Sequence, residues 1–350
     1  MVTIKEVAKH VGVSTATVSH VINNTRFVSE KLRQKVLEAI EELNYHPNGI
    51  ARSLVKRRTH TIGIIISDIM NPFYTAIVRG VEDVAHQRGY NVILCNTDED
   101  PGKETIYVQV LMEKRIDGLV ISTAFKDGVH PFLSKLKMIP VVSIVRKIEG
   151  LDGDAVVGDN VGGAYKAVQH LIESGHRRIG MISGPAGLSS GFERLEGYKK
   201  ALEEHEIPID PSLVKYGDFK RESGFHLTQE MFQRQDPPSA LFVANNQMAL
   251  GVLSALNELK IRIPRDLSLI SFDNMEWYSF LNPPMTTVEH SPYLMGRTAG
   301  EMLLRRIAKK RKRPKTITIQ SDLSIRGSTE AAPTLPNDRS ARHRESKKEV

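Results

Sequence analysis

From Thr61 onward, short apolar runs rich in β-branched residues alternate with stretches of helical periodicity. This alternation is typical of a parallel sheet with helices on both faces, because such strands are buried on both sides and need crossover helices. The runs are IGIIIS (62–67), NVILCN (91–96), GLVIS (118–122), PVVSI (140–144), RIGMISG (178–184), ALFVAN (240–245) and LSLISFD (267–273). They are too many for one ordinary doubly wound sheet. We therefore expect two α/β lobes, with the chain crossing between them near 158–162 and 288–292.

Three shorter helical patterns precede this region. Thr3 and Glu6 have the spacing of a capping box, and Ser14 and Ser29 are expected to cap a second and a third helix. Gly12 separates the first two helices, which gives a helix-turn-helix pattern whose second helix can lie in the major groove of DNA. Short residues on and beside that helix lie outside its apolar face and are suited to bases or phosphates. They are Ser14, Thr15, Ala16, Thr17, Ser19 and His20. A solvated helix face is the alternative interpretation.

The charge distribution separates this head from the rest of the chain. The chain has 48 Lys+Arg and 41 Asp+Glu, a net charge of +7. Residues 1–60 hold ten Lys/Arg and five Asp/Glu, and the run 305–315 carries eight further cations, so the remaining residues are net acidic. A basic head before an acidic body favours nucleic acid as the partner of the head. The basic run itself is more typical of a solvated helix end and loop.

Several classes of protein are disfavoured. One cysteine, Cys95, excludes a disulfide framework and a cysteine-cluster metal site, and the twelve His form no ligand pattern, so we expect no metal and no cofactor. An enzyme is disfavoured because GxGxxG at a strand–helix turn, a Walker loop, GxSxG and HExxH are all missing. No apolar stretch approaches 18 residues and the start has no signal-peptide profile, so we expect a cytoplasmic protein with no membrane partner. An exported solute-binding module is also disfavoured, because such a protein has no use for a helix-turn-helix head.

The segment VTIKEVAKHVGVSTATVSHVINNTRFVSEKLRQKVLEAIEELNYHPNGIARSL (2–54) resembles the lactose-repressor/galactose-repressor (LacI/GalR) family of bacterial transcription regulators, nearest to its purine-repressor and ribose-repressor branch. The resemblance extends to about residue 328. It implies an N-terminal all-α helix-turn-helix DNA-binding domain (1–46), a hinge helix and linker (47–60) and a two-lobed α/β effector-binding and dimerisation domain (61–330) of the periplasmic-binding-protein-like fold. The N-lobe would comprise about 61–160 and 291–320, and the C-lobe about 161–290 and 321–328. We expect the polar tail, 331–350, to be disordered.

The same resemblance implies DNA contacts. Family residues matching Thr15, Ala16 and His20 read operator bases, and those matching Asn23 and Asn24 lie where the second helix ends near the DNA backbone. In the hinge, the residue matching Leu54 wedges into the minor groove, which kinks DNA. By composition alone, a charged interdomain linker is the alternative for this segment. The further expected DNA contacts are Thr3 in the head and Ala51, Arg52 and Lys56 in the hinge.

Polar and aromatic residues follow several of the predicted strands, where open α/β sheets bind their ligands. A carboxylate, a guanidinium, an amide and aromatic platforms together suit a polyhydroxylated ring. Each residue alone has a structural explanation; Asp273, for example, could cap a turn. By resemblance, Arg194, Asn245 and Asp273 match positions that hold the effector. The full expected effector-binding set is Asn71, Phe73, Asp159, Ser190, Arg194, Phe219, Asn245, Asp273 and His290.

The resemblance also indicates the class of effector. NPFY (71–74) and LCNTDED (94–100) resemble the ribose-type branch, and Leu188 stands where a purine-responsive pocket would carry an Arg. We therefore expect a sugar or sugar acid, with a purine or a partner protein acting as corepressor as the alternative. Asn246 replaces the Asp usual in the family motif VANDQMALG. The expected protein is a repressor that binds a pseudo-palindromic operator as a homodimer, since the tail lacks the leucine heptad of tetrameric relatives.

Overall fold

The structure, a computed structural model, describes residues 2–45, 58–126, 130–151, 153–309 and 313–332. These residues form two compact units that meet in sequence between Thr59 and His60, a small helical head and a larger α/β body. The predicted combination of a helical head with a two-lobed α/β body is confirmed. The predicted hinge contacts Ala51, Arg52, Leu54 and Lys56 lie outside the described residues, as does 333–350 of the predicted tail.

The head consists of helices α1 (Ile4–Val11), α2 (Thr15–Asn23) and α3 (Glu30–Glu42). The Glu6 carboxylate accepts the Thr3 N–H at 2.6 Å, and this bond lowers the pKa of Glu6. Ser14 Oγ accepts the Thr17 N–H at 3.1 Å, which caps α2 as predicted. Ser29 is the N-cap residue of α3 as predicted, and its main-chain carbonyl, rather than its hydroxyl, closes the first turn. The core is built from Val7, Ala8, Val18, Val21, Val36, Ala39 and Tyr45.

The first lobe of the body contains a six-stranded parallel sheet. Its strands are β1 (Thr61–Ile66), β2 (Asn91–Asn96), β3 (Gly118–Ile121), β4 (Val141–Ile144), β5 (Asp154–Gly158) and β11 (Thr316–Ile319), in the order β11-β5-β4-β3-β1-β2. The helices of this lobe are α4 (Pro72–Gln87), α5 (Pro101–Glu113), the short α6 (Leu133–Leu136) and α11 (Pro292–Ile307). β1, β3 and β4 are almost wholly buried, as expected for strands covered on both faces.

The second lobe repeats this plan. Its strands are β6 (Ile179–Ser183), β7 (Val214–Tyr216), β8 (Ala240–Val243), β9 (Ser268–Phe272), β10 (Thr286–Glu289) and β12 (Asp322–Ser324), in the order β12-β10-β9-β8-β6-β7. All neighbours run parallel except β10 and β12. The helices are α7 (Asn160–Glu173), α8 (Ser189–Glu204), α9 (Arg221–Phe232) and α10 (Asn246–Glu258), with short 3-10 turns at Pro211–Leu213 and Glu276–Phe280.

The chain passes between the lobes three times, after β5, β10 and β11. The three crossings meet around His290, which is 8% exposed. A Cβ atom on Gly158 would lie 2.8 Å from the His290 ring, and Ser321 Oγ lies 3.4 Å from His290 Nδ1. Burial lowers the pKa of His290 to about 4, with Asp273 acting in the opposite direction. A neutral imidazole therefore fills the junction at neutral pH.

Helix α11 returns to the first lobe and packs on α4 at very close range. A Cβ atom on Gly296 would lie 2.0 Å from the Ile77 carbonyl oxygen, and one on Gly80 would lie 2.3 Å from the Tyr293 carbonyl oxygen. Only glycine permits two helix backbones to approach this closely. This contact holds the last long helix on the first lobe, although most of the second lobe precedes it in the chain. None of the helices in the described ranges has the length and apolarity that a membrane span requires.

Candidate functional site

The second helix of the head presents a small polar surface. Thr15 and Ala16 are exposed in the first turn of α2, and Thr3 is exposed beside α1. His20 is half-buried, and its Nδ1 lies 2.8 Å from Thr25 Oγ1. A helix that buries its apolar face and exposes short side chains at its N-terminus can approach base edges closely.

The remaining predicted head residues make local bonds. The hydroxyls of Ser14 and Thr17 lie 2.9 Å apart, and Asn23 Nδ2 donates to the Ser19 carbonyl at 2.8 Å. Asn24 ends α2 in the left-handed conformation, with φ of 51°. Its Oδ1 accepts a hydrogen bond from Arg33 Nη2 at 2.6 Å. These bonds shape and close the helix that carries Thr15, Ala16 and His20.

A cleft of about 930 Å³ lies between the two lobes, at the carboxyl ends of their strands. Seven of the nine predicted effector residues line it, namely Asn71, Phe73, Ser190, Arg194, Phe219, Asn245 and Asp273. The other two lie at the crossings. Asp159 caps α7 by accepting the Gly162 N–H at 2.9 Å, and the His290 ring packs edge-on against Phe73 with centroids 5.5 Å apart.

Arg194 and Asp273 form the charged centre of the cleft. Arg194 Nη1 lies 3.4 Å from Asp273 Oδ2, and the guanidinium carbon lies 3.7 Å from the Phe272 ring centroid. Arg194 also donates to the Asn160 amide oxygen at 3.0 Å and to the Ala244 carbonyl. Burial lowers the pKa of Arg194, while Asp273 raises it. Asp273 is 6% exposed and its Oδ1 has no hydrogen-bond partner, although a buried carboxylate oxygen normally has one.

Asn245 and Phe219 are positioned together on the second lobe. Asn245 Oδ1 caps α10 by accepting the Met248 N–H at 2.9 Å, and its Nδ2 donates to the Phe219 carbonyl at 2.9 Å. The Phe219 ring lies against Gly184, where an added Cβ would be 2.1 Å from the ring. The amide is thus partly engaged in structure, while the aromatic ring forms a wall of the cleft.

An amide pair joins the lobes beside the cleft. Asn71 Nδ2 donates to Asn246 Oδ1 at 3.0 Å, and Asn246 Nδ2 donates back to Asn71 Oδ1 at 2.9 Å. Both residues are buried, at 5% and 1% exposed. A reciprocal buried amide pair is satisfied only while the lobes remain closed.

Glu99 and Arg146 are two charged residues of the cleft wall that are not in the predicted effector-binding set. Arg146 follows β4 and Glu99 follows β2, so the rule that ligands bind beyond the carboxyl ends of strands would have found both. The backbone around the cleft is also unusual, since five residues that line it have positive φ although none is glycine. They are Asp98, Glu99, Val145, Phe219 and Asp273. Such conformations cluster at functional sites, because the surrounding structure must hold them.

The described residues contain no group of three or more His, Cys, Asp or Glu side chains arranged to hold a metal ion. Two ion pairs, Arg146–Glu99 and Arg194–Asp273, lie in the cleft wall instead. The arrangement suits reversible binding of a small polar molecule.

Comparison with known proteins connects both units to one class. Residues 3–48 match the model of bacterial regulatory proteins of the lacI family, and residues 168–329 match a periplasmic binding protein-like domain. The HTH-type transcriptional repressor PurR of Aliivibrio salmonicida (strain LFI1238) is 39% identical over 311 residues, which cover 89% of this chain and 93% of that protein. The transcriptional regulator CelR, solved in complex with cellobiose, is 33% identical, with a TM-score of 0.71 over 94% of this chain and 100% of that one. The Lac repressor dimer bound to operator and the anti-inducer ONPF is 29% identical, with a TM-score of 0.82 over 94% of this chain and 99% of that one.

A helix-turn-helix head joined to a two-lobed ligand-binding body defines a DNA-binding transcription regulator rather than an enzyme. The chain belongs to the lacI family of bacterial regulatory proteins, and it is a DNA-binding transcriptional repressor of that family. The resemblance stated from its sequence is confirmed.

Proposed function

We propose that this repressor binds a pseudo-palindromic operator as a homodimer in the cytoplasm and that a small molecule in the interlobe cleft controls this binding. Thr15, Ala16 and His20 of α2 read bases, and Ser14, Thr17 and Ser19 approach phosphates. Asn23, Asn24 and Thr3 lie beside them. Residues 47–60 join the head to the body, with Leu54 as a minor-groove wedge flanked by Ala51, Arg52 and Lys56. Exposure of Thr15 and Ala16 at the start of α2 supports this orientation.

For the effector, we propose a polyhydroxylated ring, a sugar or sugar acid. The observation that carries this proposal is the buried Oδ1 of Asp273, which lacks a donor beside Arg194. A hydroxyl of the ligand would supply that donor and could accept from Arg194, while the Phe73 and Phe219 rings flank its apolar face. Because an unpartnered buried carboxylate oxygen costs free energy, its satisfaction favours the bound state.

A purine is the second candidate, and the names of the relatives support it better than a sugar. Relatives that are 38–40% identical to this chain, from Aliivibrio salmonicida, Haemophilus influenzae and Proteus mirabilis, are named PurR. Aromatic walls also suit a purine. One observation disfavours a purine. Leu188 is apolar and 2% exposed at the start of α8, where the sequence resemblance would place a purine-binding Arg.

Isothermal titration calorimetry of the full-length protein distinguishes the candidates. The ligands are ribose, glucose, galactose and their sugar acids on one side, and hypoxanthine, guanine and adenine on the other. We expect a sugar or sugar acid to bind, and Asp273→Asn to weaken it by at least about tenfold, because the amide replaces a charged acceptor. Asp236→Asn is the matched control, since Asp236 has an exposed side chain in the same lobe. Binding of purines alone would replace the sugar assignment with the purine one.

A further inference from the structure

The wall of the cleft in the first lobe contains a two-point ion pair between Arg146 and Glu99. Arg146 Nη1 lies 2.6 Å from Glu99 Oε2, and Nη2 lies 2.7 Å from Oε1. Arg146 is 3% exposed, whereas the Glu99 side chain is 15% exposed. Arg146 also donates to the Thr123 carbonyl at 2.9 Å, and its guanidinium lies 5.4 Å from the Phe219 ring across the cleft. Glu99 is therefore the more accessible partner of a buried cation that faces the ligand space.

Both members of this ion pair lie at or directly beside residues with positive φ. Glu99 has φ of 61° and follows Asp98, which has φ of 54°. Val145, directly before Arg146, has φ of 67°. Positive φ is costly for residues with a Cβ atom and most costly for a β-branched one, so three such residues around one ion pair indicate a functional constraint.

Four charged groups of the cleft wall form two ion pairs. Arg146 and Arg194 contribute two positive charges, and Glu99 and Asp273 contribute two negative ones. The two guanidiniums are close enough for Arg146 to lower the pKa of Arg194. If Glu99 moved outward to water, Arg146 would lose two charge-assisted hydrogen bonds, and of its neighbouring carboxylates only the buried Glu104 would remain in place. A carboxylate of the ligand could replace Glu99 with no loss of charge-assisted hydrogen bonds.

We propose that Arg146 recognises a carboxylate of the effector and that Glu99 occupies this position while the cleft is empty. This inference rests on the proposed cleft ligand and narrows it to a sugar acid. The exchange replaces one carboxylate by another on the same guanidinium, and it releases Glu99 from its strained conformation. A neutral sugar offers no group that can take the place of Glu99.

Calorimetric titration of the full-length protein with matched pairs tests this proposal. The pairs are glucose and glucuronate, and galactose and galacturonate, in each of which both members have the same sugar ring. The acid of at least one pair should bind at least about tenfold more tightly than its neutral partner, the magnitude expected of hydrogen bonds to a charged group. Glu99→Gln should strengthen binding of that acid by about tenfold more, because no charged competitor remains, and should change binding of the neutral sugar by less than about twofold. Glu113→Gln removes the same charge from an exposed position on α5 and should change neither.

Three results would overturn the proposal, and they differ in whether they also reject the sugar effector or the cleft ligand. Tighter binding of the neutral member, with an unchanged ratio in Glu99→Gln, rejects the carboxylate site and leaves a sugar effector in place. Binding of hypoxanthine or guanine with no member of any pair rejects both the carboxylate site and the sugar. No heat from any ligand rejects the cleft ligand itself. The ratio in the unmodified protein needs no variant, so poor folding of Glu99→Gln does not prevent the test.

Discussion

The neutral His290 at the junction of the lobes makes the stability of the body depend on pH. Its pKa is about 4 in the folded protein, against 6.5 for an ordinary histidine. Between these values the unfolded chain binds a proton that the folded protein does not, so stability falls as pH decreases through this window. The loss is about 2 kcal/mol between pH 7.5 and pH 5 from the two pKa values. Below about pH 4 both states are protonated and the loss from this residue stops increasing.

Urea unfolding of the unmodified protein and of His290→Gln measures this effect. The variant should lose about 2 kcal/mol less than the unmodified protein between pH 7.5 and pH 5, because glutamine does not titrate. His170 and His176 also have lowered pKa values through burial, but they are present in both proteins and cancel in the difference. The charged groups that act on His290 are Asp273, Arg194 and Asp159. Equal losses in the two proteins would refute a buried neutral imidazole at the junction.

Three further substitutions test separate parts of the structure. Asn246→Ala removes the acceptor of the buried Asn71 Nδ2, while Asn71 Oδ1 keeps the Phe73 N–H. We therefore expect a loss of about 1–3 kcal/mol in urea unfolding and weaker ligand binding. Unchanged values would contradict an interlobe amide pair. Gly296→Ala places a Cβ atom 2.0 Å from the Ile77 carbonyl oxygen and should lower the free energy of unfolding by about 3 kcal/mol or more in calorimetry. Unchanged stability would contradict the close contact of α4 with α11. Ala16→Glu adds an anion at the exposed start of α2 and should weaken DNA binding by at least about tenfold in fluorescence anisotropy with an unchanged melting temperature; full retention of DNA binding would exclude this face as the DNA contact.

Much of the fold follows from local sequence patterns. The apolar β-branched runs mark most of the central strands, since strands buried on both faces need continuous apolar sequence. β7 (VKY) and β12 (DLS) were not among the predicted runs, because edge strands of three residues carry little apolar sequence. The close contact of α4 with α11 was also missed, since it depends on Gly80 and Gly296 being brought together from distant parts of the chain.

The site could be predicted in outline but not in its electrostatics. Asn71, Arg194 and Asp273 are predicted because they follow strands or match the family, and the structure brings them to one cleft. Their role in effector binding stays a prediction. Glu99 and Arg146 lie 47 residues apart in the chain, and only the fold pairs them. The unpartnered oxygen of Asp273 likewise depends on the packing around it, which no sequence pattern reveals.

The proposed function requires that ligand binding in the cleft be coupled to DNA binding. Fluorescence anisotropy can measure the Kd for a duplex obtained by in vitro selection, with and without the ligand identified by calorimetry. We expect the ligand to change this Kd by at least about fivefold, in the usual range of allosteric coupling. Arg194→Ala should still bind the duplex but lose the response. A ligand that occupies the cleft in calorimetry and leaves the Kd of the unmodified protein unchanged would contradict this coupling.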